Sequence, residues 1–371
     1  MTATLPRPAL AGRSGRPGWS RPVPAAARRS GYLLVVAVLV GLLALTLVLA
    51  TAIGPVNVPS GDVVRVLAAH LTGTVDPTTG PSTADLIVWR IRLPRVLIGG
   101  VAGAGLALAG TVVQALVRNP IADPYILGLT SGASVGAVVV ITTGATVIGA
   151  LTLPGAAFLG AVGAMVLVFA LARQGARLSP LRLILVGVVC SHLFSGITAL
   201  LLARSNSSTV QQQIIFWMLG GLSGAQWSFL PVPTVTVALG ALVILARARR
   251  LNALVLGEEA SATLGVNTGA FRRQMLVVTT LLTGVVVAVA GGIGFVGLIV
   301  PHLARMLVGA EHRRMLPVSV LIGAIFLIWS DVLARIVVAP AELPIGVVTA
   351  FLGVPFFLLV MRARQRDLEA M

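Results

Sequence analysis

Lysine is absent from the sequence, and cysteine is almost absent. All 27 basic residues are arginine, so the chain lacks the lysine of the Walker A motif, G-x-x-x-x-G-K-[ST]. The single cysteine, Cys190, lies within an apolar run, which excludes a disulfide bond or a cysteine-based metal site within the chain. These absences exclude a P-loop nucleotide site and a disulfide framework.

Charge is also scarce, and apolar residues take its place. Charged residues make up 10% of the chain and hydrophobic residues 57%, whereas soluble domains carry roughly 25% charged residues. The apolar runs are about 20 residues long and do not alternate with polar residues, which is typical of membrane-spanning helices. We therefore predict an all-α polytopic membrane protein with about ten transmembrane helices.

The order of apolar and polar stretches divides the chain. Residues 1–30 are rich in Pro, Ala and Arg and are predicted to be a disordered cytoplasmic tail, followed by a transmembrane domain over 31–365. Residues 54–91 are predicted to be an external segment, and residues 214–221 a half-helix on the outer side. The predicted spans cover residues 32–53, 94–117, 126–142, 147–172, 181–203, 228–246, 274–291, 296–309, 316–337 and 345–361.

The arginines orient these spans. In this arrangement 20 arginines fall on the side of the N-terminal tail, six fall on the opposite side, and Arg305 lies within a span. Because cytoplasmic segments carry the excess of positive charge, both termini and the loop 247–273 are predicted to be cytoplasmic. The net charge of +16 is thus explained by topology, and no nucleic-acid partner is predicted.

Apart from Arg95 and Arg182 at the starts of two spans, the ionisable residues within the predicted spans are His192, His302, Arg305, Asp331 and Arg335. Asp331 and Arg335 are four residues apart on one helix, a spacing at which opposite charges meet. They form either a self-neutralising pair or part of a proton relay. The two histidines have no partner at metal-ligand spacing, so we predict no metal site and no catalytic residue.

Two polar regions remain open to interpretation. The segment Arg247–Arg273 carries five arginines at its ends and the adjacent acids Glu258 and Glu259 at its centre. It is either a plain connection or a docking surface. On the opposite side, Arg90, Arg92 and Arg95 either contact lipid headgroups or receive acidic groups of a soluble partner.

Several motifs resemble one family. The residues Arg92-Leu-Pro-Arg95, Asn119-Pro-Ile-Ala-Asp-Pro-Tyr-Ile-Leu-Gly-Leu-Thr-Ser-Gly-Ala133, Gly294-Phe-Val-Gly-Leu-Ile-Val-Pro-His302 and Ala341-Glu-Leu-Pro-Ile-Gly-Val-Val-Thr349 occur in this order. Together they resemble the FecCD-type permease subunits of iron-siderophore, haem and vitamin B12 ABC importers. The resemblance covers roughly residues 30–362.

The resemblance implies partners on both sides of a bacterial cytoplasmic membrane. A ten-helix permease of this family pairs with a second copy, or with a paralogous permease, around a central path lined largely by spans 5 and 10. Separate ATPase subunits below it bind ATP and Mg²⁺, so this chain is expected to bind no cofactor and to be no enzyme. An external binding protein delivers the metal-chelate substrate.

The resemblance also assigns residues. It implies ATPase coupling through Ala253, Leu256, Gly257, Glu258, Glu259, Ala260, Leu264 and Gly265. It implies docking of the binding protein on Arg92, Arg95 and Arg335, and an inner gate near Ser179 and Pro180. A ferric siderophore is the substrate expected first, with haem and vitamin B12 as alternatives. An ion-driven secondary transporter is the rival class, and a membrane-embedded enzyme a more distant one.

Overall fold

Long apolar helices form most of the structure. The computed structural model describes residues 25–56, 58–74, 82–144, 152–174 and 177–369. Its elements, in chain order, are α1 (Ala25–Ala52), α2 (Ser60–Thr72), α3 (Thr83–Asp85), a π-helical segment (Leu86–Arg92), α4 (Leu93–Val117), a 3₁₀ turn (Pro124–Leu127), α5 (Leu129–Thr143), α6 (Thr152–Ala172), β1 (Arg173–Gln174), β2 (Arg177–Leu178), α7 (Pro180–Ala203), α8 (Ser208–Leu219), a 3₁₀ turn (Trp227–Phe229), α9 (Pro231–Ala246), α10 (Ala248–Val255), α11 (Glu258–Thr263), α12 (Thr268–Ala290), α13 (Val296–Val308), α14 (His312–Ile336) and α15 (Ile345–Glu369).

The predicted class, an all-α polytopic membrane protein, is confirmed. Within the described ranges, eight helices are long and apolar enough to cross a membrane. Two shorter apolar helices, α5 and α13, stand where the third and eighth spans are predicted. The two strands are two residues each and pair antiparallel between α6 and α7. We use inner and outer for the two sides that the arginine distribution assigns.

Three boundaries differ from the predicted ones. Helix α1 begins at Ala25 rather than Tyr32, because alanine and arginine favour helix, so residues 25–30 of the predicted tail are helical; residues 1–24 lie outside the described part. The end of the predicted external segment is helical and continues into α4, giving one helix over Thr83–Val117. Helix α8 begins at Ser208, before the predicted half-helix, because the Ser207 hydroxyl accepts a hydrogen bond from the Val210 amide (3.5 Å).

Helix α4 lies at the centre of the bundle. It packs against α1, α9, α10, α12, α13 and α14, and it is buried on almost every side. A methyl group at Gly103 would overlap the Gly323 carbonyl of α14, and one at Gly110 would overlap Gly297 of α13. Small residues therefore bring the backbones of three helices into direct contact. Such close packing is expected in a membrane, where no hydrophobic effect drives helices together.

A second packing centre joins the short helix α5 to α6. The two helices cross where Gly132 and Gly136 of α5 meet Gly160 and Ala156 of α6. Helix α12 packs against both α4 and α6, so it links this pair to the central helix. The wide faces of α1, α7, α9 and α15 carry exposed large apolar side chains, which suit lipid or another membrane subunit.

Three chain segments meet through glycine backbone at the end of α8. The Ile345 amide donates a hydrogen bond to the Gly220 carbonyl (2.9 Å). A methyl group at Gly220 would lie 2.6 Å from the Gly292 carbonyl oxygen, and one at Gly346 would overlap the Leu219 carbonyl. We call Gly220, Gly292 and Gly346 the glycine junction. It fixes the end of α8 against the α12–α13 turn and the start of α15.

Candidate functional site

The inner loop 247–273 is a folded unit of two short helices rather than a plain connection. Helix α10 buries Ala248, Leu251 and Leu254 against the bundle, mainly on α4 and α14. The chain then turns at Gly257, whose φ of 115° is a conformation that side chains other than glycine rarely adopt. This turn separates α10 from α11. We call residues 247–273 the coupling loop.

A buried hydroxyl holds the two short helices together. The Ser261 hydroxyl of α11 contacts the carbonyl oxygens of Ala253 (2.8 Å) and Gly257 (2.5 Å), and the Ser261 side chain is fully buried. The loop ends where the Asn267 side chain accepts a hydrogen bond from the Ala270 amide (3.0 Å) and so caps α12. The loop thus has a defined shape before any partner binds.

The outward face of this loop combines apolar and acidic side chains. Leu256 and Leu264 are 69% and 63% exposed, and Glu258, Glu259 and Gly265 are also exposed. Exposed leucines beside carboxylates form a surface suited to a protein partner. Of the other predicted coupling residues, Gly257 and Ala260 are half-buried. Ala253 is buried beneath the surface.

Side-chain contacts tie the coupling loop to two membrane helices. Arg272 of α12 pairs with Glu258 (2.6 Å), and the guanidinium is buried while the carboxylate is half-exposed. The Asn252 side chain accepts a hydrogen bond from the His312 amide (3.0 Å) at the start of α14. Since α12 and α14 both pack against α4, displacement of this loop bears directly on the centre of the bundle.

On the outer side, a network of buried charges joins α4 to α14 and the segment that follows it. The Arg95 guanidinium donates to Asp331 (2.9 Å) and to Glu342 (2.9 Å). Arg335 donates to the same Asp331 carboxylate (3.1 Å). The predicted contact between Asp331 and Arg335 is therefore present, but Asp331 also holds an arginine from a distant helix.

Arg335 and the nearby Arg92 bind the carbonyl groups at the outer end of α1. Arg335 donates to the carbonyls of Ala50 (3.2 Å) and Ile53 (3.3 Å), and Arg92 donates to the carbonyl of Ala52 (2.7 Å). The last carbonyls of a helix have no partner within it and carry partial negative charge. Arginine therefore both satisfies these groups and neutralises the helix end.

These contacts bear on the predicted docking role. Arg92, Arg95 and Arg335, which we call the external arginine cluster, lie together at the outer ends of α4 and α14, but only 2–6% of each residue is exposed. Docking on these residues stays a prediction, and it requires their guanidinium groups to exchange internal partners for external ones. Glu342, whose side chain is 32% exposed, is the accessible edge of the network.

The predicted gate residues begin α7 on the inner side. Ser179 is exposed and extended (φ −79°, ψ 130°), and Pro180 takes the first position of the helix, where its missing amide hydrogen costs nothing. The pair follows the small hairpin of β1 and β2. The residues are thus placed at a helix entrance, and their role as a gate stays a prediction.

Sequence reasoning missed some residues that hold these sites together. Glu342 is part of a quoted motif, but its contact with Arg95 spans 247 positions of the chain, and no local pattern reveals it. Asn252 and His312 are also far apart in sequence. The glycine junction left a signal, the clusters Gly220-Gly221 and Gly291-Gly292. In the ranges that the structure describes, no three His, Cys, Asp or Glu residues gather as a metal site would need.

Relatives that are named for their function share most of the chain. A cobalamin import system permease protein of Halobacterium salinarum is 42% identical over 285 residues, which are 77% of this chain and 76% of that protein. A hemin transport system permease protein of Yersinia pestis is 41% identical over 292 residues, 77% of this chain and 87% of that protein. A molybdate import system permease protein of Haemophilus influenzae is 36% identical over 317 residues, 85% and 91% respectively.

The fold has a counterpart among solved structures. A metal-chelate type ABC transporter in an inward-facing conformation superposes with a TM-score of 0.75 and 33% identity, over 89% of this chain and 99% of that one. The FecCD transport family matches residues 42–363, which include every helix from α4 to α14. The chain therefore belongs to the FecCD transport family, as a multi-pass permease of the ABC importer type.

Proposed function

We propose that this chain is the membrane subunit of an importer that carries a metal chelate across the bacterial cytoplasmic membrane, using ATP bound by separate subunits. The single observation that carries the proposal is the coupling loop. Its exposed leucines and glutamates form a partner surface, and its buried side contacts α4, α12 and α14. A chain without lysine has no Walker A motif, so in the proposed importer another subunit binds the ATP and acts on this chain through such a surface.

Transport requires a second membrane subunit, for which we propose another copy of this chain. Helix α7 exposes Leu181, Val189 and Leu200, and α15 exposes Phe351 and Leu359, each to more than half of its surface. Two such faces placed around a two-fold axis form a closed, symmetric assembly. A paralogous permease on the same faces is the alternative, and co-expression of differently tagged copies decides between the two.

The substrate proposal follows the family at the level of class. The relatives are named for cobalamin, hemin and molybdate, and none of these three names specifies the siderophore expected first from the sequence. We therefore propose a metal chelate as the class, with a ferric siderophore as one member of it beside haem and cobalamin. We further propose that an external binding protein delivers the substrate and docks on the external arginine cluster.

The described contacts weigh against the rival class. An ion-driven transporter needs a carboxylate that binds and releases a proton within the membrane. Asp331 is the one carboxylate of the predicted spans, and it lies between Arg95 and Arg335 at hydrogen-bonding distance. The two positive charges of Arg95 and Arg335 are balanced by Asp331 and Glu342 together, and Asp331 accepts hydrogen bonds from both guanidinium groups. This arrangement suits a structural role rather than a proton carrier.

Reconstitution tests the proposal directly. The chain is purified with the ATPase and binding protein that co-purify with it, placed in proteoliposomes, and supplied with metal chelates on the outside. We expect uptake that requires ATP and persists with an uncoupler present. Liposomes that hold the permease with an ATPase variant lacking its Walker lysine are the matched control. Uptake that proceeds without the ATPase and stops with the uncoupler would establish the rival class instead.

A further inference from the structure

Helix α13 has a break in its hydrogen bonding at Pro301. This proline lies within the helix rather than in its first turn. It carries no amide hydrogen, so it cannot donate to the carbonyl of Gly297 four residues earlier. In the interior of a membrane no water replaces the donor, and a buried carbonyl without one is unfavourable. A donor from elsewhere in the chain is therefore expected at Gly297.

A side chain of α4 supplies that donor. The amide Nε2 of Gln114 donates a hydrogen bond to the Gly297 carbonyl (3.1 Å), and only 5% of Gln114 is exposed. The approach is possible because Gly110, one turn earlier on α4, meets Gly297 without a side chain between the two backbones. Gln114 thus provides, from a neighbouring helix, the hydrogen bond that Pro301 lacks.

The other end of the same amide binds beyond the proline. The Gln114 side-chain oxygen accepts a hydrogen bond from the Arg305 guanidinium, and Arg305 also donates to the Pro301 carbonyl (3.2 Å). These contacts define the orientation of the amide, because a backbone carbonyl only accepts and a guanidinium only donates. One side chain of α4 therefore holds α13 on both sides of the break. We call Gln114, Gly297, Pro301 and Arg305 the proline hinge.

The part of α13 before Pro301 is fixed to α15. Phe295, which immediately precedes α13, has a left-handed backbone conformation (φ 69°). A methyl group at Gly353 of α15 would lie 2.5 Å from the Phe295 ring, so the ring fills the space that this glycine leaves. Gly292 of the glycine junction is three residues earlier in the chain. The first half of α13 thus belongs with the glycine junction and α15.

The part of α13 after Pro301 is fixed to α14. Ala304 is buried in one cluster with Met315 and Val318 of α14. Helix α14 begins at His312, whose amide donates a hydrogen bond to the Asn252 side chain of the coupling loop (3.0 Å). The second half of α13 is therefore linked to the coupling loop through α14, and the proline hinge lies between the two halves.

We propose that Gln114 is a positioning residue for transport, which sets the bend of α13 at Pro301. While its amide holds Gly297 and Arg305, the two halves of α13 keep one relative orientation. Release of these contacts allows the halves to rotate about Pro301, since a proline leaves no backbone hydrogen bond to break there. This rotation transmits a displacement of the coupling loop to the glycine junction. The inference rests on the proposed function, because the displacement comes from the ATPase.

A double-mutant cycle tests whether Gln114 replaces the donor that Pro301 lacks. Gln114→Leu should lower the melting temperature of the full chain in detergent by about 3–8 °C, because the Gly297 carbonyl loses its donor. Pro301→Ala provides a backbone amide to Gly297 within α13, so Gln114→Leu should cost about half as much or less in that background. Gln114→Glu keeps an acceptor for Arg305 but cannot donate when ionised, and Pro301→Ala should rescue it in the same way.

Transport separates a positioning role from a purely structural one. The chain is reconstituted with its ATPase and binding protein, and ferric hydroxamate, haemin and cyanocobalamin are supplied in turn. Uptake and ATP hydrolysis are both measured per folded complex. We expect Gln114→Leu to reduce the uptake per ATP hydrolysed by about tenfold, as for the loss of one buried hydrogen bond. Pro301→Ala should also reduce this ratio, because α13 no longer bends, and the double variant should reduce it no further.

Two matched variants serve as controls. Gln211→Leu removes a glutamine whose Nε2 donates to the Ser205 carbonyl (2.7 Å) on the outer side, and it should change the uptake per ATP by less than about twofold. Pro317→Ala removes another proline that lies inside a described helix, α14. It should not rescue the melting temperature of Gln114→Leu, because Pro317 has no part in the proline hinge.

The inference and the proposed function fail in different experiments. Equal losses of melting temperature for Gln114→Leu with and without Pro301→Ala would show that Gln114 does not replace the missing donor, and would overturn the inference. An unchanged uptake per ATP in Gln114→Leu would leave the residue a structural role only, and would also overturn it. Uptake by the unaltered chain that is independent of the ATPase would instead overturn the proposed function.

Discussion

The external arginine cluster and the coupling loop are both charged regions at membrane surfaces, yet their charges face opposite ways. In the cluster, Arg95, Asp331 and Arg335 satisfy one another and are almost fully buried. In the loop, Glu258 and Glu259 are exposed, and the neighbouring Leu256 is exposed with them. Residue type alone does not distinguish a surface that is ready for a partner from one that is closed.

This difference has a consequence for each predicted partner. The ATPase meets a loop whose contact groups already point outward, so binding needs little rearrangement. The external binding protein meets arginines whose hydrogen bonds are occupied by Asp331, Glu342 and carbonyls of α1. Its acidic groups must compete with these internal acceptors, so we expect docking there to be coupled to a change in how α1, α4 and α14 meet.

The largest effect is expected when the shared carboxylate of the external arginine cluster is removed. Asp331→Ala leaves the guanidinium groups of Arg95 and Arg335 buried without their shared carboxylate, which should destabilise the fold by about 3–5 kcal/mol. Thermal unfolding in detergent measures the loss. Asp62→Ala is the matched control, because Asp62 pairs with Arg65 on the exposed surface and should change stability by less than about 1 kcal/mol. Equal shifts for the two variants would contradict a stabilising network.

A second variant changes the exposed face of the coupling loop and should abolish uptake without unfolding the protein. Glu258→Arg combined with Gly265→Trp places like charge beside Arg272 and a bulky ring on the exposed face of the coupling loop. We expect ATP-driven uptake to be abolished and the ATPase to dissociate, while membrane insertion is normal. The control is Glu311→Arg, which reverses an exposed inner charge outside the loop. Normal uptake by the double variant would remove the coupling assignment.

The shape of the coupling loop can be tested separately from its chemistry. Gly257→Ala adds a methyl group at a φ of 115°, which should cost about 1–3 kcal/mol locally and turn α11 away from its present direction. We expect slower uptake at unchanged ATPase binding per correctly folded complex. Gly224→Ala, at an open position with an unrestricted φ, is the control. If the two variants transport equally well, the turn at Gly257 is not needed.

The smallest effect is expected at Glu342, the partly exposed carboxylate of the arginine network. Glu342→Gln removes an internal competitor of Arg95 but keeps its size and hydrogen-bonding oxygen. If acidic groups of the binding protein dock on the external arginine cluster, its affinity should rise roughly two- to fivefold, mostly through faster association. Asp62→Asn removes one outer charge elsewhere and controls for net charge. If Glu342→Gln leaves the affinity for the binding protein unchanged, the external arginine cluster has a structural role only.

The sequence was sufficient to place the helices because hydrophobic runs of membrane length have few alternatives. It also indicated the i, i+4 contact of Asp331 and Arg335, since that contact is set by one helix. It could not indicate that Arg95 reaches Asp331, a contact between residues 236 positions apart, because helix packing decides it. For the same reason, the burial of Ala253 beside the exposed Leu256 follows from the packing of α10 against α4 and α14.

The arginine cluster taught a further lesson about resemblance. The motif Arg92-Leu-Pro-Arg95 located two of the three arginines, and the structure places Arg95 and Arg335 on the same Asp331 carboxylate. The contacts that keep these residues buried come from α1 carbonyls and from Glu342. Backbone carbonyls carry no sequence signal, and Glu342 is 247 positions away from Arg95 in the chain. Neither kind of contact could therefore be assigned from the sequence.

The glycine junction limits the motions that are open to the transporter. Because Gly220, Gly292 and Gly346 meet backbone to backbone, no flexible side chain stands between α8, the α12–α13 turn and α15 to absorb sliding. We therefore expect these three segments to move together as one rigid unit and not to slide past one another. A conformational change of the transporter is then expected to occur where this unit meets the rest of the described chain, and not within the unit.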